Sequence, residues 1–165
     1  MSVTAAQGFV AAGGSAGIKA AGAPDVALVA TVDGQPVAAA GVFTSNLATA
    51  APVQVSRTHL AATSGRAAGV ILTSGNANAA TGTEGVQAAT SLCAAVAEGI
   101  GATPQEILIC QTGLIGIPFP SDVALPNVPG IVETRAPGPE AGAAAAVVII
   151  DVIRRRWRRA RRSGS

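Results

Sequence analysis

Thr112 and Gly113 follow the apolar run 107–110. A glycine at the end of a buried strand lets the backbone come close to a ligand. A threonine hydroxyl beside a glycine amide can aim two donors at one oxygen, which is what an oxyanion hole requires. A Thr-Gly pair is also an ordinary turn, and the pair alone does not choose between these readings. The stretch Ser74-Gly75-Asn76-Ala77-Asn78 places two asparagines one residue apart among small side chains. It offers amide donors and acceptors to a ligand, or an Asx turn leading into the next helix.

Other chemistry is absent on inspection. Gly13-Gly14-Ser15-Ala16-Gly17-Ile18-Lys19 resembles a phosphate loop, but Ile18 separates the glycine from the lysine and Ala20 follows it. No G-x-G-x-x-G stretch stands at a strand–helix junction. One histidine and two distant cysteines do not build an ordinary metal site. His59 reads as structural. Cys93, on an apolar helical stripe, and Cys110, at a strand end, read as buried thiols. Nothing resembles the nucleophile elbow of a Ser-His-Asp hydrolase.

The elements that must carry these residues are partly visible. Residues 26–32 and 37–43 are apolar runs around Asp33-Gly34, which predicts a hairpin. A short extended piece is expected at 52–56. Residues 67–73 form a near-continuous apolar run, the pattern of a strand buried on both faces. The 74–78 stretch after it has loop composition. Thr81 and Glu84 have the spacing of a capping box. Val86, Ala89, Cys93, Val96 and Ile100 then form one helical stripe that ends at Gly99 and Gly101. Thr103-Pro104-Gln105-Glu106 starts a short turn of helix before a strand at 107–110. The prolines after Gly116 predict no long regular structure, and 141–153 is a weak helix candidate. The order strand–helix–strand with glycine loops gives an α/β fold: a mixed sheet with an antiparallel hairpin and packed helices.

The chain has 165 residues, room for one domain and a sizeable core. Hydrophobic residues make up 49% and charged ones 12%, which excludes a largely disordered chain. Residues 1–153 carry Lys19, Arg57, Arg66 and Arg135 against all nine acidic groups, and seven arginines crowd 154–162. The body is therefore mildly acidic, and it is not expected to bind nucleic acid. No signal peptide is visible at the N-terminus. The longest apolar run, 141–153, is too short to span a bilayer and contains Asp151, so no membrane partner is expected. A cytoplasmic protein with reduced thiols is the expectation.

Several motifs stand in order along the chain. They are Gly17-Ile18-Lys19-Ala20, Ala40-Gly41-Val42-Phe43-Thr44-Ser45-Asn46, Ala51-Pro52-Val53, Ser74-Gly75-Asn76-Ala77-Asn78-Ala79 with Thr81-Gly82, and Cys110-Gln111-Thr112-Gly113-Leu114-Ile115-Gly116. Together they resemble the N-terminal part of the ornithine acetyltransferase family. These are the bifunctional glutamate N-acetyltransferase and amino-acid acetyltransferase enzymes of arginine biosynthesis. The resemblance implies a precursor that cleaves itself before an internal threonine, which becomes the nucleophile of a second chain. It implies acetyl transfer from N-acetylornithine to glutamate through a covalent intermediate, with no cofactor. It assigns the oxyanion hole to the Thr112 hydroxyl and the Gly113 amide, and places the 74–78 stretch nearby as support. Lys19 receives no catalytic role.

The departures from the family pattern carry their own expectations. Val148-Ile149-Ile150-Asp151 stands where the family has a Thr-Thr-Asp run. No threonine lies in the family's Ala-Thr-Met-Leu context, so the nucleophile and the second chain are expected to be missing from this sequence. The chain divides into an acetyltransferase-like part, 1–131, and a divergent Pro/Ala-rich then Arg-rich part, 132–165. Out-of-frame translation of a GC-rich gene would produce the latter composition. The alternatives are a solvated tail, or a noncatalytic remnant whose arginines around Trp157 contact nucleic acid. That last reading predicts retention on a polyanion that weakens with salt and vanishes on deletion of 154–162. Salt-independent retention removes it.

Overall fold

The computed structural model describes residues 2–149. Four strands form the main sheet: β1 (Phe9–Gly14), β2 (Val26–Thr31), β5 (Gly69–Asn76) and β6 (Ile107–Leu114). They lie in the order β1-β2-β5-β6. The pairs β1–β2 and β2–β5 are antiparallel, and β5–β6 is parallel. The expected mixed α/β sheet is therefore present, with its antiparallel hairpin made by β1 and β2.

The hairpin joins different strands from those expected. β3 (Val37–Ala38) pairs with β4 (Arg66–Ala67), not with β2. Both edges of β2 are already taken, by β1 and β5. The Asp33 turn does form, with the Gln35 N–H donating to Asp33 Oδ1 at 3.0 Å, but the chain leaving it runs away from β2. β5 also continues through Ser74, Gly75 and Asn76, beyond the expected end of the strand.

Helices α2 (Gly82–Ile100) and α3 (Ser121–Glu133) occupy one face of the sheet. Ala89, Leu92, Cys93, Val96 and Ile100 of α2 are buried, close to the expected stripe. α3 contradicts the expectation drawn from the prolines. Pro126 and Pro129 lie inside the helix. Its Ala124, Val128, Ile131 and Val132 nevertheless recur at helical spacing and are buried, so tertiary packing outweighs poor intrinsic propensity. The expected capping box at α2 is not made either, because Thr81 has no side-chain bond to the helix amides; its hydroxyl is used elsewhere. The turn at Pro104–Glu106 is a single 3-10 turn, where the Thr103 N–H donates to Glu106 Oε2 at 2.8 Å.

The other face is covered in part by a helical stretch at 139–149. Its Ala145 and Val148 pack with Ala11 and Ala27 of β1 and β2. The approach is close, since a Cβ on Gly13 would stand 2.4 Å from the Ala144 carbonyl oxygen. The expected helix over 141–153 is thus present as far as 149. Asp151, Trp157 and the arginines of 154–162 lie outside the described residues. No helix among the described residues is long and apolar enough to cross a membrane.

Helix α1 (Ala51–Ala62) replaces the extended piece expected at 52–56. It lies along the outer edge of β6, bound through side chains. Ser56 Oγ donates to the Ile109 carbonyl at 2.8 Å and accepts the Ile109 N–H at 2.9 Å. His59 Nδ1 is 2.8 Å from the Ile107 carbonyl oxygen. A carbonyl only accepts, so Nδ1 carries the proton. His59 is buried in this structural role, as expected.

The core contains little aromatic material. Its largest fully buried side chains include Leu28, Ile71, Leu92, Ile107 and Ile109. Cys93 lies among them, and burial pushes its thiol up from 9.0 to about 12. Between these values the unfolded chain releases the proton and the folded chain keeps it, so stability falls as pH rises. Below pH 9.0 both states hold the proton and this group has no effect. Denaturation midpoints of the wild type and Cys93→Ala should therefore converge as pH rises above 9. The gap should shrink by roughly 1 kcal/mol per pH unit. A gap that stays constant with pH would show that Cys93 ionises freely in the fold.

Candidate active site

The parallel pairing of β5 and β6 puts Ser74 opposite Thr112 and Gly75 opposite Gly113. The two stretches singled out in the sequence are therefore neighbours across one ladder. Gly75 has φ +121° and Gly113 φ +145°, both in the region that favours glycine. A Cβ on Gly113 would lie 2.1 Å from the Gly75 carbonyl carbon and 2.4 Å from the Asn76 nitrogen. The backbones meet there with no room for a side chain.

A third motif closes over the same point. A Cβ on Gly75 would stand 3.0 Å from Ile18 Cγ2 and 3.1 Å from Lys19 Cγ. The Ile18–Lys19 segment is held by Asp25, which is fully buried. Asp25 Oδ1 accepts the Ala16 N–H at 2.6 Å and Oδ2 accepts the Lys19 N–H at 2.9 Å. Charge-assisted bonds of this kind are the strong ones. Lys19 Nζ donates to the Pro24 carbonyl at 3.1 Å. Sequence reasoning passed over Asp25, a lone carboxylate ahead of an apolar run. Its one signal was that position, where a charge is costly unless hydrogen-bonded.

The remaining motifs line a groove of about 730 Å³ on the other side of Thr112. Its walls include Gly41 and Phe43 of the loop before α1, Pro52 and Val53 of α1, and Cys110 and Thr112 of β6. Arg57 pins this loop: its guanidinium lies 5.4 Å from the Phe43 ring centre, and Nη2 donates to the Thr44 carbonyl at 3.0 Å. Thr112 and Gly113 are half-buried.

The expectation that both cysteines are buried fails for Cys110, which is exposed. Ile107 and Ile109 point into the core, and alternation along β6 turns Cys110 toward the groove. Surrounding groove walls still desolvate the thiol and push its pKa up, which weakens it as a nucleophile. The structure leaves His59 and Cys93 away from Thr112: His59 is bonded to Ile107 at the start of β6, and Cys93 lies in the core. Among the described residues no group of three or more His, Cys, Asp and Glu converges on a possible metal position.

This mixed sheet with its packed helices has counterparts among solved structures. The ornithine acetyltransferase of Mycobacterium tuberculosis, determined in complex with ornithine, aligns with a TM-score of 0.83 at 43% identity. The match covers 90% of this chain and 78% of that one. The arginine biosynthesis bifunctional protein of Bacillus halodurans aligns with a TM-score of 0.82 at 30% identity, over 90% of this chain and 75% of that one. The fold class is that of the ornithine acetyltransferases. The ArgJ family model matches residues 10–163, and the chain belongs to that family. The arginine biosynthesis bifunctional protein ArgJ of Streptomyces coelicolor is 49% identical over 128 residues, 78% of this chain and 33% of that protein. Its counterpart from Thermosynechococcus vestitus is 42% identical over 151 residues, 92% of this chain and 35% of that protein. The chain thus spans about a third of the length of the curated relatives it matches.

The glycine contact makes a direct prediction. Gly113→Ala should lower the unfolding free energy by more than about 2 kcal/mol, from backbone strain and the clash with Gly75. Denaturant titration measures this, and an unchanged midpoint would reject the close contact.

Proposed function

We propose that this chain supplies the oxyanion-stabilising part of an acetyl-transfer site. The Thr112 hydroxyl and the Gly113 amide donate to the oxygen that becomes negative as the acetyl carbonyl turns tetrahedral. Two donors fixed before the reaction stabilise that charge with no reorganisation cost at the moment it forms. The observation that carries this reading is the convergence of the family motifs on the end of β6. The Gly17–Lys19 and 74–78 stretches lie on one side of Thr112, and the 40–44 and 52–53 stretches line the groove on the other.

The reaction proposed is acetyl transfer from N-acetylornithine to glutamate in arginine biosynthesis. A covalent acetyl intermediate forms on a threonine of a second chain, released by self-cleavage of a precursor. Both substrates and that second chain are partners of the whole protein, of which this sequence corresponds to about a third of the relatives' length. The groove beside Thr112 is apolar on several walls, with Phe43, Pro52 and Val53 among them, and suits a face that packs against further protein. The chain by itself should transfer no acetyl group, and the work should take place in the cytoplasm.

The test uses a full-length protein in which this chain replaces the matching third of the Streptomyces coelicolor relative. Thr112→Ala should lower turnover by about 10²- to 10³-fold, with the KM for N-acetylornithine little changed. Unchanged turnover would remove the assignment.

A further inference from the structure

Asn78 is fully buried, and it sits at φ +46°, a conformation that asparagine tolerates better than most residues. Its side chain uses donor and acceptor alike. Oδ1 accepts the Thr81 hydroxyl at 2.7 Å. Nδ2 donates to the Gly85 carbonyl at 2.8 Å and to Gln111 Oε1 at 2.8 Å. Gln111 Nε2 in turn donates to Thr73 Oγ1 at 3.3 Å. Gln111 immediately precedes Thr112, so this chain of bonds fixes the near side of the Thr112–Gly113 pair.

The far side is fixed from the same place. The Asn78 N–H donates to Asn76 Oδ1 at 2.7 Å. Asn76 Nδ2 donates to the carbonyls of Ile117 and Pro118, at 3.2 and 3.0 Å. The Ala77 N–H donates to the Leu114 carbonyl, and the Gly116 N–H to the Ala79 carbonyl, each at 2.9 Å. A local Asx turn would need only the first of these bonds. The others span more than thirty residues of sequence and enclose Thr112 and Gly113 between them. The network also explains Gly85. A Cβ there would lie 2.0 Å from Thr81 Oγ1 and 2.5 Å from Asn78 Oδ1.

We infer that Asn78 and Gln111 are positioning residues that hold Thr112 and Gly113 at the angle needed to meet the oxyanion. The inference rests on the oxyanion reading above. Neither residue is assigned a contact with substrate. Their directionality supplies the test. At position 111 a carboxylate can accept from both neighbours, the Asn78 Nδ2–H and the Thr73 hydroxyl, so Gln111→Glu keeps the bridge. Gln111→Leu breaks it. At position 78 a carboxylate would face the Gly85 carbonyl with two acceptors opposed.

In the same full-length protein, Gln111→Leu should lower kcat by about 10- to 100-fold while KM stays within about twofold. Gln111→Glu should recover part of that loss, the remainder being the cost of a carboxylate beside the oxyanion. In this chain, nitrogen-15 amide spectra supply a readout independent of activity. Gln111→Leu and Asn78→Asp should move the Thr112 and Gly113 amide resonances, and Leu92→Ala, a core change, should not. Equal loss in the Leu and Glu variants would overturn the inference, as would Thr112 and Gly113 resonances that do not respond. An Asn78→Asp chain that fails to fold leaves the Gln111 pair to decide. If Thr112→Ala proves harmless, the oxyanion reading falls. If Thr112→Ala is slow and Gln111→Leu is fast, only the positioning role falls.

Discussion

The contact between Gly75 and Gly113 is the constraint on which the site depends. At that point a Cβ on Gly113 would run into the backbone of the facing strand, while one on Gly75 would press on the Ile18–Lys19 segment. Everything near the end of β6 follows from that closeness. Ser74 is held against Thr112 by register, the Ile18–Lys19 segment rests above Gly75, and Asn76 reaches the carbonyls beyond Gly113. A larger residue at Gly113 would push β5 and β6 apart, and one at Gly75 would displace the Ile18–Lys19 segment. Parallel strands are joined by a long crossover, whose closure costs entropy. Here the crossover is α2, whose buried stripe contributes the apolar contacts that offset it.

Polar groups around this contact are buried at little penalty because each is matched. Asp25 is neutralised in effect by backbone amides, and Asn78 by a hydroxyl, a carbonyl and another amide. No buried side-chain nitrogen or oxygen among the described residues lacks a partner. A fully satisfied network rigidifies its surroundings, whereas a half-satisfied one would destabilise them. The apolar core contributes differently. Built from alanine, valine, isoleucine and leucine, it fixes which faces meet without fixing any one angle near Thr112.

Much of this was legible in the sequence where the signal is periodic or compositional. The stripe Ala89, Cys93, Val96 and Ile100 gave α2, and the apolar runs gave the centres of β5 and β6. The pairing of strands was not, because register and neighbours depend on which edges remain vacant. Asp33-Gly34 makes its turn, but β2 had no free edge for the strand that follows. α1 and α3 were lost for other reasons. Pro52 lies in the first turn of α1, where proline is well tolerated, but no strong apolar stripe follows it. Pro126 and Pro129 argue locally against helix in α3, and burial overrides them. At the site, a glycine after an apolar run drew attention to Thr112 and Gly113, and small residues with two asparagines marked 74–78. The bridge from Asn78 to Gln111 joins residues 33 apart, and no local pattern announces it.

Helix α1 has a consequence for how the sheet ends. β6 lies at the margin of the sheet, where free amides and carbonyls invite another strand. Ser56 gives Ile109 both a donor and an acceptor, and His59 caps Ile107. Two side chains on successive turns thus imitate a neighbouring strand over the first half of β6. Addition of a foreign strand along that stretch would have to displace these bonds. The helix thus shields the first half of β6 from edge pairing, and none of these bonds extends to the half that carries Thr112 and Gly113.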